Sequence, residues 1–201
     1  MTRAEESRAP RPERTGVRLY SGDRPVRILI SSCLLGEKVR YDGGHKRDAF
    51  LADTLGRFVE YVPVCPEAEA GFGIPREPMQ LEGGPEAPRM ITTETRRDMT
   101  EAMASWAEKR LEELAKEELR GFILKSRSPS CAIETAPLFG KTGDAKGTAS
   151  GVFTLMLVRR FPHLPIMDEA RLAVLSEREK FFEQVFPPEI CRPLRNIILR
   201  A

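Results

Sequence analysis

Short apolar runs alternate with amphipathic segments along this chain. Four runs have the length and apolar content of buried strands, and they cover residues 26–32, 58–64, 122–125 and 164–167. Four segments carry apolar residues at helical spacing, over residues 46–56, 98–120, 152–161 and 169–186. Strands that alternate with helices predict a parallel sheet with right-handed crossovers. We therefore predict an α/β fold, a Rossmann-like three-layer sandwich with a mostly parallel sheet.

Three further segments lack such periodicity. Residues 1–24 are rich in Arg, Glu, Pro and Ser, and this composition predicts a flexible tail. Residues 66–90 are interrupted by Pro and charged residues and are expected to form a long ordered loop of functional importance. Residues 137–150 are rich in Gly, Thr and Lys and are expected to form a mobile loop. Residues 25–201 are predicted to form a single domain.

Composition and charge narrow the class of protein. The chain has 201 residues, is 41% hydrophobic and carries a net charge of +2, and the excess lies within the Arg-rich first 25 residues. The rest of the chain has equal numbers of acidic and basic residues. This balance does not favour a nucleic-acid-binding protein, which usually carries a basic patch. No apolar run approaches the ~20 residues of a membrane span, and the N-terminus lacks a secretory pattern. We expect a cytoplasmic protein with reduced cysteines.

Three cysteines lie at the ends of predicted strands. Cys33 closes the first run, Cys65 closes the second, and Cys131 follows the third after a Ser/Pro turn. The carboxyl ends of parallel strands share one edge of a sheet, where α/β proteins bind ligands. Three thiols at that edge indicate a soft-metal site with an open coordination position. The alternative is that the three cysteines are simply buried in the core, as free cysteines often are. Their spacing alone gives weak support for a metal, because no two are spaced as in common structural zinc sites.

The neighbours of these cysteines offer candidate chemistry. Asp42, Glu67 and Ser128 place a carboxylate or a hydroxyl within about ten residues of each cysteine, and such groups can take part in proton transfer. Each also has a structural interpretation, since Asp42 precedes two glycines, Glu67 could be a surface charge or cap, and Ser128 precedes a proline. His45 is expected to be a structural hydrogen-bonding residue, and Cys191 is expected to pack rather than bind metal.

Four motifs together resemble the TudS thiouracil desulfurase family over about residues 26–186. They are SCLLG at 32–36, VRYDGG at 39–44, CPE at 65–67 and SPSC at 128–131. The resemblance implies a [4Fe–4S] cluster held by Cys33, Cys65 and Cys131, with the fourth iron open to substrate sulfur. Family members usually have Gly after the third cysteine, whereas this chain has Ala132, a difference that could reshape the pocket.

The resemblance also implies an activity. The family removes sulfur from small thiolated pyrimidines such as 2-thiouracil, giving uracil and hydrogen sulfide. A free base, a nucleoside and a thiolated tRNA fragment are all left open as the substrate of this chain. Ser128 and either Asp42 or Glu67 are the implied catalytic residues, in a hydrolysis without net redox change. The alternative hypothesis is a non-catalytic zinc- or Fe–S-binding accessory module. A nucleotide-binding protein is less favoured because both Gly-rich phosphate motifs are missing, and the oligomeric state is left open.

Overall fold

Ten strands and five α-helices make up the computed structural model, which describes residues 20–21, 24–189 and 191. The strands are β1 (Tyr20–Ser21), β2 (Arg24–Pro25), β3 (Arg27–Ser31), β4 (Glu60–Val64), β5 (Met79–Gly84), β6 (Ala87–Thr92), β7 (Leu119–Leu124), β8 (Ala136–Phe139), β9 (Ala145–Ala149) and β10 (Ile166–Asp168). The α-helices are α1 (Pro66–Glu69), α2 (Thr100–Leu114), α3 (Val152–Arg160), α4 (Glu169–Leu172) and α5 (Leu175–Val185).

The central sheet consists of four parallel strands in the order β10-β7-β3-β4. All four correspond to the apolar runs, so the predicted α/β class with a parallel sheet is confirmed. Successive residues of β3 point to opposite faces, as the pleat of a strand requires. Leu29 packs in the hydrophobic cluster that contains α2 and α3, whereas Ile28 and Ile30 pack in the cluster that contains α5. The sheet therefore has a core on each face, which gives the three-layer arrangement.

A second four-stranded sheet, in the order β6-β5-β8-β9, was not predicted. It is built from two antiparallel hairpins, β5–β6 and β8–β9, which join through a parallel pairing of β5 with β8. The expectation of loops over 66–90 and 137–150 was therefore wrong in large part. The apolar alternation that marks a strand is broken in β5 by the buried Glu82, and β9 is exposed except for Ala149.

The two hairpins occupy specific places in the connections of the central sheet. The β5–β6 hairpin lies between β4 and α2, and the β8–β9 hairpin lies between β7 and α3. Each one follows a strand whose carboxyl end leads into a cysteine, Cys65 after β4 and Cys131 after β7. The second sheet consequently begins next to the edge at which the thiols were predicted to meet.

Helix boundaries differ from the prediction in three places. The predicted helix over 98–120 is α2, which ends at Leu114, and residues 119–124 form β7. The predicted helix over 46–56 is a π-helical turn over Phe50–Thr54 followed by a 3-10 turn over Leu55–Arg57. The predicted helix over 169–186 is divided into α4 and α5, because Val174 has an extended backbone. The buried phenylalanines Phe181 and Phe182 of α5 still pack on the central sheet as the helical spacing indicated.

The predicted tail over 1–24 lies mostly outside the described residues and stays a prediction, as does the single domain over 25–201. In the described part, β1 pairs antiparallel with β2. Among the residues that the structure describes, no helix has the length and apolarity needed to cross a bilayer.

Candidate functional site

A cavity of about 650 Å³ opens at the carboxyl edge of the central sheet. Strands β3, β4 and β7 end there, and Met79 at the start of β5, with Pro78 just before it, also lines the cavity. All three predicted cysteines line this cavity, as do Glu67 and Ser128. Parallel strands thus bring together five of the six predicted site residues, which lie up to almost a hundred residues apart in the chain.

Cys33 lies on a 3-10 turn over Ser32–Leu35 that begins where β3 ends. Gly36 closes this turn with φ of 98°, a left-handed conformation that favours glycine. The Cys33 carbonyl accepts a hydrogen bond from the Lys46 amide at 2.9 Å, which fastens the following loop to the turn. Burial, and next the neighbouring Cys65 thiol, raise the pKa of Cys33 to about 11, against the opposing effect of nearby cations.

Cys65 caps the N-terminus of α1, directly after β4. Its amide donates to Glu69 Oε1 at 2.8 Å, and its Sγ lies 3.6 Å from the carbonyl oxygen of Val39. Burial raises the pKa of this thiol, and the nearby backbone amide of Ala68 partly offsets this effect. The Val39 contact connects Cys65 to the loop that also carries Arg40 and Asp42.

Cys131 is almost fully buried at the end of the SPSC motif. The first turn of α3 holds the backbone around it, since Thr154 Oγ1 donates to the Cys131 carbonyl at 2.8 Å and the Val152 amide donates to Pro129. Ser130 Oγ lies 3.6 Å from the Cys131 sulfur. Burial raises the pKa of this thiol far above its ordinary value, against hydrogen bonds from Ser130 and Ser31 that lower it.

The three thiols fit a bound cationic group. Burial disfavours the thiolate form of Cys33, Cys65 and Cys131, and a coordinated metal supplies the positive charge that stabilises thiolates. Within the described part of the chain, no three Cys, His, Asp or Glu side chains converge on the position of a single ion. The thiols instead face one cavity from three strand ends, an arrangement suited to a cluster in which each thiolate binds a different iron.

Gly151 is packed directly beneath the Cys131 segment. A Cβ atom at this position would lie 2.3 Å from the carbonyl carbon and oxygen of Ser130 and 2.7 Å from the Cys131 amide nitrogen. These are backbone atoms that cannot turn aside as a side chain can. Residue 151 must therefore be glycine for the segment to lie where it does.

We predict that Gly151→Ala displaces Cys131 and lowers both stability and metal content. Overpacking of this kind costs about 1–3 kcal/mol of unfolding free energy, and reconstituted iron per chain should fall in parallel. Gly84→Ala is the matched control, because nothing lies within 4 Å of a Cβ at Gly84. Thermal denaturation and iron analysis of the two variants make the comparison, and equal values for both would contradict the prediction.

Glu67 is a buried carboxylate whose two oxygens have separate partners. Its Oε2 accepts from Arg76 Nη2 at 2.7 Å and from Arg76 Nε at 3.0 Å. Its Oε1 accepts from Ser130 Oγ at 2.7 Å and lies 3.4 Å from Ser128 Oγ. One oxygen is thus paired with a cation, while the other faces the seryl hydroxyls of the cavity.

Ser128 forms the expected turn and also lines the cavity. Its Oγ accepts from the amides of Ser130 at 3.3 Å and Cys131 at 3.2 Å, which is the expected Ser turn. The same oxygen lies 3.0 Å from Ser130 Oγ and lines the cavity. Its hydroxyl is therefore held in place next to Glu67 rather than free to rotate into solvent.

Asp42 lies at the surface and does not line the cavity. Its Oδ1 accepts from the Gly44 amide at 2.9 Å and forms an ion pair with Arg40 Nε at 3.5 Å. The backbone hydrogen bond and the Arg40 charge hold the pKa of Asp42 below its ordinary value. The structure thus places Glu67 next to the thiols and Asp42 in a turn beside them.

Several residues of the site were not identified from the sequence. Lys125 and Ser126 directly follow β7 and line the cavity. Both donate hydrogen bonds to Glu169, the first residue of α4, which follows the neighbouring strand β10. Glu169 Oε2 also accepts from the Ser126 amide at 2.8 Å. Burial opposes ionisation here, but the Lys125 and Ser126 hydrogen bonds outweigh it and hold the pKa of Glu169 below its ordinary value. The sequence signals for these residues are their positions at strand ends, Lys125 after β7 and Glu169 after β10.

Two residues lie away from the site. His45 is exposed, does not line the cavity, and its Nδ1 accepts from the Arg47 amide at 3.2 Å. Cys191 packs against the hydrophobic cluster around α5, on the other side of the central sheet from α2 and α3. Both positions agree with the structural interpretation given to them.

Comparison with known proteins identifies relatives that share this site region. The sequence profile of the 2-thiouracil desulfurase family matches residues 28–169, a range that contains every residue lining the cavity. The uncharacterized protein YbbK of Bacillus subtilis (strain 168) is 34% identical over 160 residues, which are 76% of this chain and 96% of that protein. The solved structure of a [4Fe-4S]-dependent thiouracil desulfidase, TudS, matches with a TM-score of 0.59 and 28% identity, over 77% of this chain and 98% of that one.

Proposed function

This chain belongs to the 2-thiouracil desulfurase family, and from that membership we propose that it removes sulfur from 2-thiouracil or a closely related thiolated pyrimidine. The products would be the corresponding pyrimidinone, uracil in the first case, and hydrogen sulfide. The observation that carries the proposal is the meeting of three thiols and a buried carboxylate in one cavity.

Cys33, Cys65 and Cys131 are proposed to hold a [4Fe–4S] cluster in this cavity. Support comes from the cluster dependence of TudS and from the three buried thiols at the strand ends. With three protein ligands, such a cluster offers one iron as a Lewis acid for the soft sulfur of a thiocarbonyl. The remaining chemistry falls to the side chains of the cavity.

Glu67 is the proposed general base. The Arg76 guanidinium donates hydrogen bonds to Oε2 of Glu67 and so fixes the orientation of the carboxylate. Oε1 therefore faces the seryl hydroxyls of the cavity in a fixed direction. A water molecule there would transfer a proton to Oε1 as its oxygen attacks the ring carbon that bears sulfur. Ser128, held by backbone amides next to the carboxylate, would orient the water or the substrate.

The proposed reaction is a balanced hydrolysis. A carbon–oxygen bond forms, the carbon–sulfur bond breaks, and sulfur leaves with both protons of the water as hydrogen sulfide. No electrons are gained or lost, so no reductant is needed. Asp42, the other candidate base, is proposed to act through Arg40 instead, because its carboxylate lies outside the cavity lining.

Sulfide release by the anaerobically reconstituted protein tests this function. With 2-thiouracil as substrate, we expect one sulfide and one uracil for each molecule consumed, without an electron donor. A protein that binds iron and releases no sulfide from a panel of thiopyrimidines would contradict the proposal and favour the metal-binding accessory module.

Arg76 has a structural part in this mechanism that can be tested separately. Its side chain is only 5% exposed and donates to Glu67 and to the carbonyls of Val39 and Gly73. It thereby joins the carboxylate to both loops that border Cys65. Lysine keeps the charge but cannot reproduce the planar fork that serves three partners.

We predict that Arg76→Lys lowers kcat/KM by about 10-fold or more and costs about 1–3 kcal/mol of stability, because it leaves buried acceptors unpaired. Arg89→Lys is the matched control. Arg89 binds Asp98 with the same two nitrogens on one oxygen, but its side chain is 54% exposed, and exposed pairs contribute about 0–1 kcal/mol. Kinetics and thermal denaturation should separate the two; the same small loss in both would show that Arg76 does not position Glu67.

A further inference from the structure

Arg40 presents hydrogen-bond donors to the cavity that no described residue accepts. It follows Val39 in the loop between Cys33 and Cys65, lines the cavity, and has a side chain that is 20% exposed. Within the described part of the chain, its Nε pairs with Asp42, and no partner is found for its two terminal nitrogens. These nitrogens lie at the cavity, where an acceptor on a bound ligand can use them.

The other cations of the cavity differ from Arg40. Arg76 uses its donors on Glu67 and two carbonyls, and Lys125 uses its donors on Glu169 and Ser126. Lys46 and Arg127 also line the cavity, but their side chains are exposed to solvent. Arg40 is therefore the cation of this lining that is both sheltered and available.

The guanidinium of Arg40 is held in one orientation from two sides. It lies over the ring of Tyr41, with 5.2 Å from its central carbon to the ring centroid, and Asp42 Oδ1 is 3.5 Å from Nε. The backbone is fixed as well, because the Arg40 carbonyl accepts from Gly43 at 3.0 Å and its amide donates to Gly44 at 3.3 Å. These contacts leave the two terminal nitrogens as a preorganised pair of donors.

Arg40 is also close to the reacting end of the cavity. It lines the same cavity as the three cysteines, and the carbonyl oxygen of the preceding residue, Val39, lies 3.6 Å from Cys65 Sγ. A planar ring whose sulfur is directed toward the three cysteines would have its other edge within the walls formed by these loops. A carbonyl oxygen on that edge is an acceptor of the kind that the terminal Arg40 nitrogens can serve, since Arg40 lines the same cavity.

We propose that Arg40 determines substrate specificity by donating hydrogen bonds to the carbonyl oxygen of the thiolated pyrimidine. This oxygen is bound to a different ring carbon from the one that carries the sulfur. This inference rests on the proposed function and deepens it. Asp42 is then a positioning residue that orients Arg40, which gives the exposed aspartate of the VRYDGG motif a role outside proton transfer. A carbonyl oxygen has two lone pairs and can accept from both nitrogens.

The test compares two thiones that differ in this oxygen. 2-Thiouracil has the second carbonyl and pyrimidine-2-thione lacks it, and the reconstituted wild-type protein should prefer the former. In Arg40→Met, kcat/KM for 2-thiouracil should fall about 10- to 100-fold more than that for pyrimidine-2-thione, the range expected for hydrogen bonds from a charged donor. The comparison of ratios cancels the intrinsic reactivity of the two thiones.

Further variants sharpen the assignment. Arg40→Lys should recover part of the discrimination, because it keeps the charge but not the paired donors. Asp42→Asn should also lower the ratio of kcat/KM for 2-thiouracil to kcat/KM for pyrimidine-2-thione, but by a smaller factor than Arg40→Met. It removes the charge that orients Nε of Arg40. Arg47→Met is the matched control: Arg47 lies in the same loop, does not line the cavity, and pairs with Asp53. It should leave the ratio unchanged.

Equilibrium binding gives a second readout that does not depend on turnover. The dissociation constant for uracil, measured by calorimetry on the reconstituted protein, should rise about 10-fold or more in Arg40→Met, whereas that for pyrimidin-2-one should not change. Equal effects on both compounds in binding and in kinetics would overturn the inference. Failure of the proposed function is distinguishable, because the wild-type protein would then release no sulfide from either thione, and the binding comparison would still decide the role of Arg40.

Discussion

Replacing Cys131 with alanine is expected to abolish sulfide release and to reduce bound iron to a small fraction of the wild-type content. Cys131 is almost fully buried, and its backbone is fixed by the first turn of α3. No other cysteine can move into its place, because Cys191 packs against the hydrophobic cluster around α5. With only two thiolates left, the cluster would lose an anchor on one of its irons.

Cys191→Ala is the control for this prediction, since it removes a thiol from the same chain without changing the cavity. Iron and acid-labile sulfide are measured after anaerobic reconstitution, together with the visible absorbance of the cluster. Wild-type content in Cys191→Ala and a large loss in Cys131→Ala are expected. Full iron content in Cys131→Ala would remove that residue from the proposed ligands.

The second large effect is expected from Glu67→Gln, with kcat lowered by about 10²- to 10⁴-fold, the range for loss of a general base. Glutamine has nearly the same shape and can still accept a hydrogen bond from Arg76, but it cannot take a proton from water. The cluster ligands are untouched, so iron content and absorbance should stay at the wild-type level. This combination separates loss of catalysis from loss of the cofactor.

Glu108→Gln is the control for the same chemical change at an exposed position on α2. It should retain wild-type kcat. Removal of the Glu67 charge also leaves the buried Arg76 without its ion pair, so thermal denaturation is needed to show that the variant is folded at the assay temperature. A folded, cluster-bearing Glu67→Gln protein with near-normal kcat would rule out Glu67 as the base.

The central sheet could be predicted because its strands are buried on both faces. Each one appears as a nearly continuous apolar run, and Cys33 and Cys65 mark the carboxyl ends of two of them. The second sheet could not be predicted by the same rule. Its strands depend on pairing between hairpins that lie far apart in sequence, and Glu82 is buried there only because Gln80 and Arg96 bind its carboxylate.

The choice between Asp42 and Glu67 shows a similar limit. Both follow a strand-end cysteine within ten residues, and both lie in motifs of the family. What distinguishes them is contact over long sequence distances. Ser130, in the turn after β7, donates to Glu67, whereas the partners found for Asp42 among the described residues, Arg40 and Gly44, lie in its own turn. Sequence spacing can predict that a residue lies at the carboxyl edge of the sheet, but it cannot show which carboxylate faces the cavity.

The most direct test of the central claim is to follow activity as the cluster is assembled. Protein reconstituted anaerobically with increasing amounts of iron and sulfide is assayed for sulfide release from 2-thiouracil, with iron per chain measured in the same samples. We predict that the rate rises in proportion to cluster content and is greatest near about four irons per chain. Release of sulfide at the same rate by iron-free protein, or no release by fully loaded protein, would contradict the account.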